Sequence, residues 1–198
     1  MISTLGGFTI FLALGVTLYV VAAAIGGARA NREDWLASSR NAVLVHFCLV
    51  TLAIFLLEYA LVTSDFSLRY VANNSTRGSL TRYKIAGLWG SLEGSILLWE
   101  WLQALFAALV VARYNDRHRE LMPYVQAVLQ GISVFFLALM AFGVNPFARV
   151  FPIPPDGRGL NPLLEVTDML VHPLLLYLGY VGFSIPFAFN ASSSRRSR

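Results

Sequence analysis

His172 opens the stretch HPLLLYLGYVGFSIPFAF and is followed directly by Pro173. A neutral imidazole nitrogen is a metal ligand, so a histidine at the mouth of an apolar run is a candidate metal-binding side chain. The bland alternative is that His172 caps a helix. His46 and Glu58 lie in one apolar run and Glu100 in another. Ionisable groups in such runs are functional candidates by default, and otherwise they pair with polar groups of neighbouring segments. For His46 a hydrogen bond to a neighbouring helix is expected. His118, in RYNDRHRE, reads as solvated charged surface. Cys48 is alone, which leaves neither an intramolecular disulfide nor CxxC chemistry.

The elements that must carry these residues follow from composition. Of 198 residues, 57% are hydrophobic and 13% charged, the charged share being about half that of a soluble domain, which marks an integral membrane protein. A helical span takes about 20 apolar residues, and five runs meet that length, near 3–24, 42–63, 94–112, 124–144 and 170–190. A β-barrel needs alternating segments, whereas IFLALGVTLYVVAAAI and ISVFFLALMAFGV are apolar all round. The expected fold is all-α, a polytopic transmembrane bundle of about five spans. Residues 1–190 form the membrane domain, and 191–198 read as a polar, disordered or artificial tail. No Lys or Arg precedes the first run, so it reads as a retained span and not as a signal peptide.

Charge sets orientation. The connections 26–41 and 113–123 and the tail after Asn190 carry three Arg each, and the two long loops, 64–93 and 145–169, carry six Lys and Arg between them. The positive-inside rule puts the dense short connections and the tail in the cytoplasm, with the N-terminus and both long loops outside. The net charge of +4 is scattered and lacks any nucleic-acid-binding motif, so nucleic acid is excluded as a partner and the lipid bilayer is the first one. Loops beyond about 15 residues usually have a use. The second holds five Pro and two Gly, which stiffen it into a platform beside the membrane.

Proline fits the first helical turn, whose N–H groups are unpaired, so the fifth helix is expected to begin near 170–172, with His172 at the outer rim. Beneath it His172, Leu176, Gly179 and Phe183 share a face, with a gap at Gly179 where something flat, or another helix, can approach. Trp89, Glu93 and Glu100 would share a face of a continuous helix. Gly90, Ser91, Gly94 and Ser95 repeat at the spacing of close helix packing, which accounts for the glycines but not for Glu93.

The segments KIAGLWGSLEGSILLWEW (84–101) and NPFARVFPIPPDGRGLNPLLEVTDMLVHPLLLYLGYVGFSIPFAF (145–189) closely resemble the cytochrome c-type biogenesis family of CcmF and NrfE. That family carries a WGxxEGSLLLW-like motif, an NPF followed by LNPLL, and HPPxLYxGYVGFxxxFAF. Here they stand as Trp89, Gly90, Glu93, Gly94, Ser95 and Trp99; as Asn145, Pro146 and Phe147 with Leu160, Asn161 and Pro162; and as His172, Pro173, Tyr177, Gly179, Tyr180, Val181, Gly182 and Phe183. The resemblance is strong over 70–189 and weaker over the first two spans. Leu92 stands where the family often has His, and Leu174 where it has a second Pro.

The resemblance implies that His172 is an axial ligand to heme b at the periplasmic surface of the bacterial inner membrane. There the family attaches heme to the CxxCH cysteines of apocytochrome c, as a heme lyase. It also implies a heme-delivery chaperone and apocytochrome-handling subunits as partners, and gives the other motif residues structural or packing roles. The family's later spans, with a WWD segment and further heme-ligand histidines, do not follow Asn190, so the chain is expected to be an N-terminal part, inserting in the membrane without stable bis-ligated heme. Two other readings compete. One is a noncatalytic scaffold or docking subunit. The other is a small transporter, which needs polar groups facing each other at mid-membrane, and nothing in the sequence makes His46, Glu58 and Glu100 converge.

Overall fold

The structure, a computed structural model, describes residues 1–114 and 118–193. It is helical, with an isolated bridge between Leu68 and Arg149 and no β-strand among the described residues. In chain order the helices are α1 (Ile2–Ala30), α2 (Glu33–Val62), the short α3 (Arg69–Asn74) and α4 (Thr81–Ala86), α5 (Leu92–Tyr114), α6 (Met122–Phe142), α7 (Thr167–Gly182) and α8 (Ser184–Ser193), with 3-10 turns at Gly87–Trp89 and Pro162–Leu164. Five segments are long and apolar enough to cross a membrane, the fifth being Leu170–Ser193, broken by a turn at Phe183.

Helices α1 and α2 outrun their apolar runs on the side where they meet. The connection expected over 26–41 shrinks to Asn31 and Arg32. Asn31 turns the chain in the left-handed conformation, with φ 52° and ψ 42°, and Glu33 and Asp34 suit the positive start of α2. Apolar content measures only the hydrocarbon part, whereas backbone hydrogen bonding carries a helix on past it.

Helices α1, α2, α5 and α6 close a ring in which α1 packs on α2 and α6, α5 packs on the same two, and α2 faces α6 across the centre. α7 leans on α5 from outside, and α8 on α6. The apolar window of the fifth span is therefore 6% buried, against 61% for α5. Buried apolar residues form two clusters. One, toward the loop end, includes Ile10, Leu57, Leu97, Leu137 and Phe147. The other, toward the arginine-rich end, includes Val20, Val43, Val111 and Leu129. By register, His46, Gln130 and Ser133 fall between them.

At the loop end the two long connections lock together. Arg69 N–H donates to the Ala148 carbonyl (2.8 Å), Val150 N–H to Ser67 (3.1 Å) and Arg158 N–H to Ala72 (2.8 Å). Ser3 Oγ donates to the Phe147 carbonyl at 2.8 Å, tying the start of α1 to this platform. The first loop also folds its own helices, α3 and α4. Of the arginines that set the expected orientation, Arg117 and those of the tail beyond residue 193 lie outside the described residues.

Candidate functional site

α7 begins at Thr167, after an extended Val166 (φ −114°, ψ 138°), and not at 170–172. Pro173 is therefore inside the helix, where it removes one backbone hydrogen bond. Asp168 in the first turn favours the earlier start. His172 stands five residues after the first helical residue, so it cannot cap the helix. Its side chain is exposed.

The rotation of α7 is fixed from the opposite side. Leu174 and Tyr177 pack on the core, and the Tyr177 ring lies 5.8 Å from Trp99, itself 5.6 Å from Phe136 of α6. That contact turns His172, Leu176, Gly179 and Phe183 outward together. Leu176 is 41% exposed and Phe183 71%, and nothing lies within 4 Å of a β-carbon built on Gly179 or Gly182. Among the described residues Gly179 therefore packs no neighbouring helix. Tyr180 is also exposed.

The motifs above the rim meet one another. A β-carbon on Gly90 would stand 2.6 Å from Leu160 Cδ1, so the glycine after Trp89 admits the leucine before Asn161. Asn161 Oδ1 accepts from Leu163 N–H at 3.1 Å and caps the turn that Pro162 opens. Tyr83 donates its hydroxyl proton to the Glu165 carbonyl at 3.0 Å, holding the approach to α7. Gly94 gives room to the Leu88 carbonyl and to Tyr70 of the short α3. Tyr70 donates to the Gly87 and Leu88 carbonyls at 2.8 and 2.9 Å, and burial pushes its phenol far up, so it stays a donor.

Trp89, Glu93 and Glu100 do not share one helix face, because Trp89 belongs to the 3-10 turn before α5. Glu93 stays half-buried beside Ser91. Glu58 is half-buried, with one carboxyl oxygen buried and unpartnered. His118 is exposed and stacks on Tyr114 at 6.5 Å.

The expected interhelical bond of His46 is present, and its partner is Glu100. Nε2 lies 2.9 Å from Oε1, and both side chains are fully buried. Sequence reasoning missed this convergence, and also that Gln103, Gln126, Gln130 and Ser133 are buried around it. The available signal was the recurrence of amides at helical spacing inside apolar runs. His46 lies thirteen residues into α2. Among the described residues no group of three or more His, Cys, Asp or Glu could hold a metal ion.

The architecture defines a polytopic membrane protein whose last span bears an exposed histidine below a braced loop platform. Residues 89–196 match the family described as cytochrome C assembly protein. The chain is 38% identical over 195 residues to cytochrome c-type biogenesis protein CcmF of Escherichia coli K12, covering 98% of this chain and 30% of that one. Against cytochrome c-type biogenesis protein ccl1 of Rhodobacter capsulatus it is 41% identical over 189 residues, 96% and 29% of the two chains. The solved structure of cytochrome c heme lyase CcmF matches with a TM-score of 0.84 and 32% identity, over 100% of this chain and 31% of that chain. The chain belongs to the cytochrome c assembly family, in its CcmF and NrfE branch. It spans about 30% of the length of the CcmF relatives. The alignments also take in the first two spans, where the motifs alone were weak. Family and apolar helices together mark an inner-membrane protein.

Proposed function

We propose that this chain is the N-terminal part of a heme lyase subunit, that its loop end faces the periplasm, and that His172 is an axial ligand to heme awaiting attachment to the CxxCH motif of apocytochrome c. The observation that carries the reading is the outward stripe of α7, where an exposed imidazole stands above Leu176 and the open Gly179, with Phe183 below. That is an apolar wall with a nitrogen donor at its rim, the donor set that iron porphyrin takes. When bound, heme supplies the iron that imidazole ligates and the vinyl groups that become thioethers. The chain's own part is to position. Tyr177 against Trp99 sets the direction of His172, and the braced loops hold the rim from which an apocytochrome would approach. A heme-delivery chaperone and apocytochrome-handling subunits are the partners this role requires.

The test is His172→Ala in a protein of the relatives' full length. Holocytochrome c yield should fall to background while insertion and helix content stay normal, and added imidazole should restore part of the yield. Undiminished yield in the Ala variant overturns the ligand assignment. A scaffold that docks partners without heme predicts that undiminished yield, and no heme absorbance from the detergent-purified protein.

A further inference from the structure

The ring of α1, α2, α5 and α6 contains a polar row that the rim does not use. At one level Ser39 of α2 donates to Gln126 Oε1 of α6 at 3.2 Å. Both helices run from the arginine-rich end, and seven residues on in each stand His46 and Ser133. Gln130 of α6 lies between those levels. From the antiparallel α5 come Glu100, bonded to His46, and, one turn nearer the arginine-rich end, Gln103, whose Nε2 donates to the Leu129 carbonyl at 3.2 Å. Successive members are separated by about one helical turn, roughly 5 Å of rise.

Four buried polar atoms in this layer have no protein partner, His46 Nδ1, Gln103 Oε1 and both amide atoms of Gln130, and the Ser133 hydroxyl stands beside the Glu100 carboxylate. Buried polar groups are nearly always hydrogen-bonded, and each orphan costs about 1–3 kcal/mol. Polar layers of this kind are where membrane and soluble proteins alike bind water, and the members of this row recur at intervals of about one helical turn. The row opens at a cleft of about 100 Å³ whose lining includes Ser39, Gln126, Glu33 and Arg40.

We propose that the His46–Glu100 pair is a proton-binding site in the membrane interior, exchanging its proton with water at the arginine-rich end through Gln130, Gln126 and Ser39. Uptake forms an O–H bond on the Glu100 carboxylate with a proton taken from water, and release breaks that bond and returns the proton by the same route. No electron moves. The pair is isolated from other charge: His46 and Glu100 are the only fully buried ionisable groups of the ring helices among the described residues, α6 presents amides and a hydroxyl, and α1 presents Thr17, whose hydroxyl donates to the Ala13 carbonyl. A pair that only held helices together could be replaced by apolar side chains at little loss, and would need neither the amide row nor the cleft.

The test uses the 198-residue chain in lipid vesicles with isotope-labelled histidine. His118 and His172 are exposed and exchange at once, so the third ring signal reports His46. On transfer to heavy water the His46 N–H should exchange promptly, together with a carboxyl band that disappears in Glu100→Gln. In Gln130→Leu the exchange should slow about tenfold with helix content unchanged. Ser39→Ala, which trims a single hydroxyl, is the second variant on the route and should slow it in the same direction. A His46 N–H that survives overnight in heavy water in the unsubstituted chain overturns the proposal. So does an exchange rate that both folded variants leave unchanged.

Discussion

A β-carbon at position 94 would overlap the Leu88 carbonyl and the Tyr70 hydroxyl, neither of which can give way, whereas one at position 179 meets nothing. Gly94→Ala should therefore destabilise the purified chain by about 1–3 kcal/mol, read as a lower midpoint in a thermal melt in detergent. Gly179→Ala should be neutral or stabilising by up to roughly 1 kcal/mol, the helix-propensity gain. A Gly94→Ala protein that melts with the parent would show that Tyr70 is free to move. At this level the sequence announced His172, because a histidine before proline at the start of an apolar run stands out. It concealed His46–Glu100, because a pair 54 residues apart depends on which faces two helices turn to each other, and apolar runs with little amphipathicity do not state that.

The two long connections behave as one element. Asp156 accepts from the backbone N–H groups of Arg77 (3.0 Å) and Gly157 (2.8 Å), and these donors hold its carboxyl below the ordinary 3.8. The sign follows: a group whose folded pKa is depressed contributes its full stabilisation above the ordinary value and loses it as pH falls through the folded one. The Arg77 amide resonance should hold steady at neutral pH and move toward its Asp156→Ala position as the solution is acidified below that range. A resonance that does not move on acidification would exclude the carboxylate as its acceptor. The five prolines made the second loop legible as a platform. The cross-loop bonds were not legible, because main-chain donors such as Arg69 and Arg158 carry no side-chain code. The start of α7 at Thr167 differs from the expected 170–172 for a related reason: proline is permitted beyond the first turn at the loss of one bond, and the acidic Asp168 is a stronger start signal than Pro173.

For the chain as a whole, the sequence yielded the number of spans and the all-α class, since both follow from hydrocarbon thickness. That the fifth span stands outside the ring was beyond it, as Leu170–Ser193 is no less apolar than a buried helix needs to be. Orientation can be tested with cysteines at Arg77, Arg158 and Arg29 in a Cys48→Ser background. The first two should react with an impermeant thiol reagent added from the periplasmic side, and the third should not. The reverse pattern would put His172 on the wrong side for cytochrome attachment. The bond from Ser3 to Phe147 bears on biosynthesis. That bond cannot form until nearly three-quarters of the chain has left the ribosome, so α1 and α2 must reside in the bilayer as a hairpin with an unbraced outer end while α5 and α6 are still being threaded. Any insertion factor that attends this protein would meet it in that half-built form, with the inward faces of α1 and α2, and His46 among them, still open to lipid.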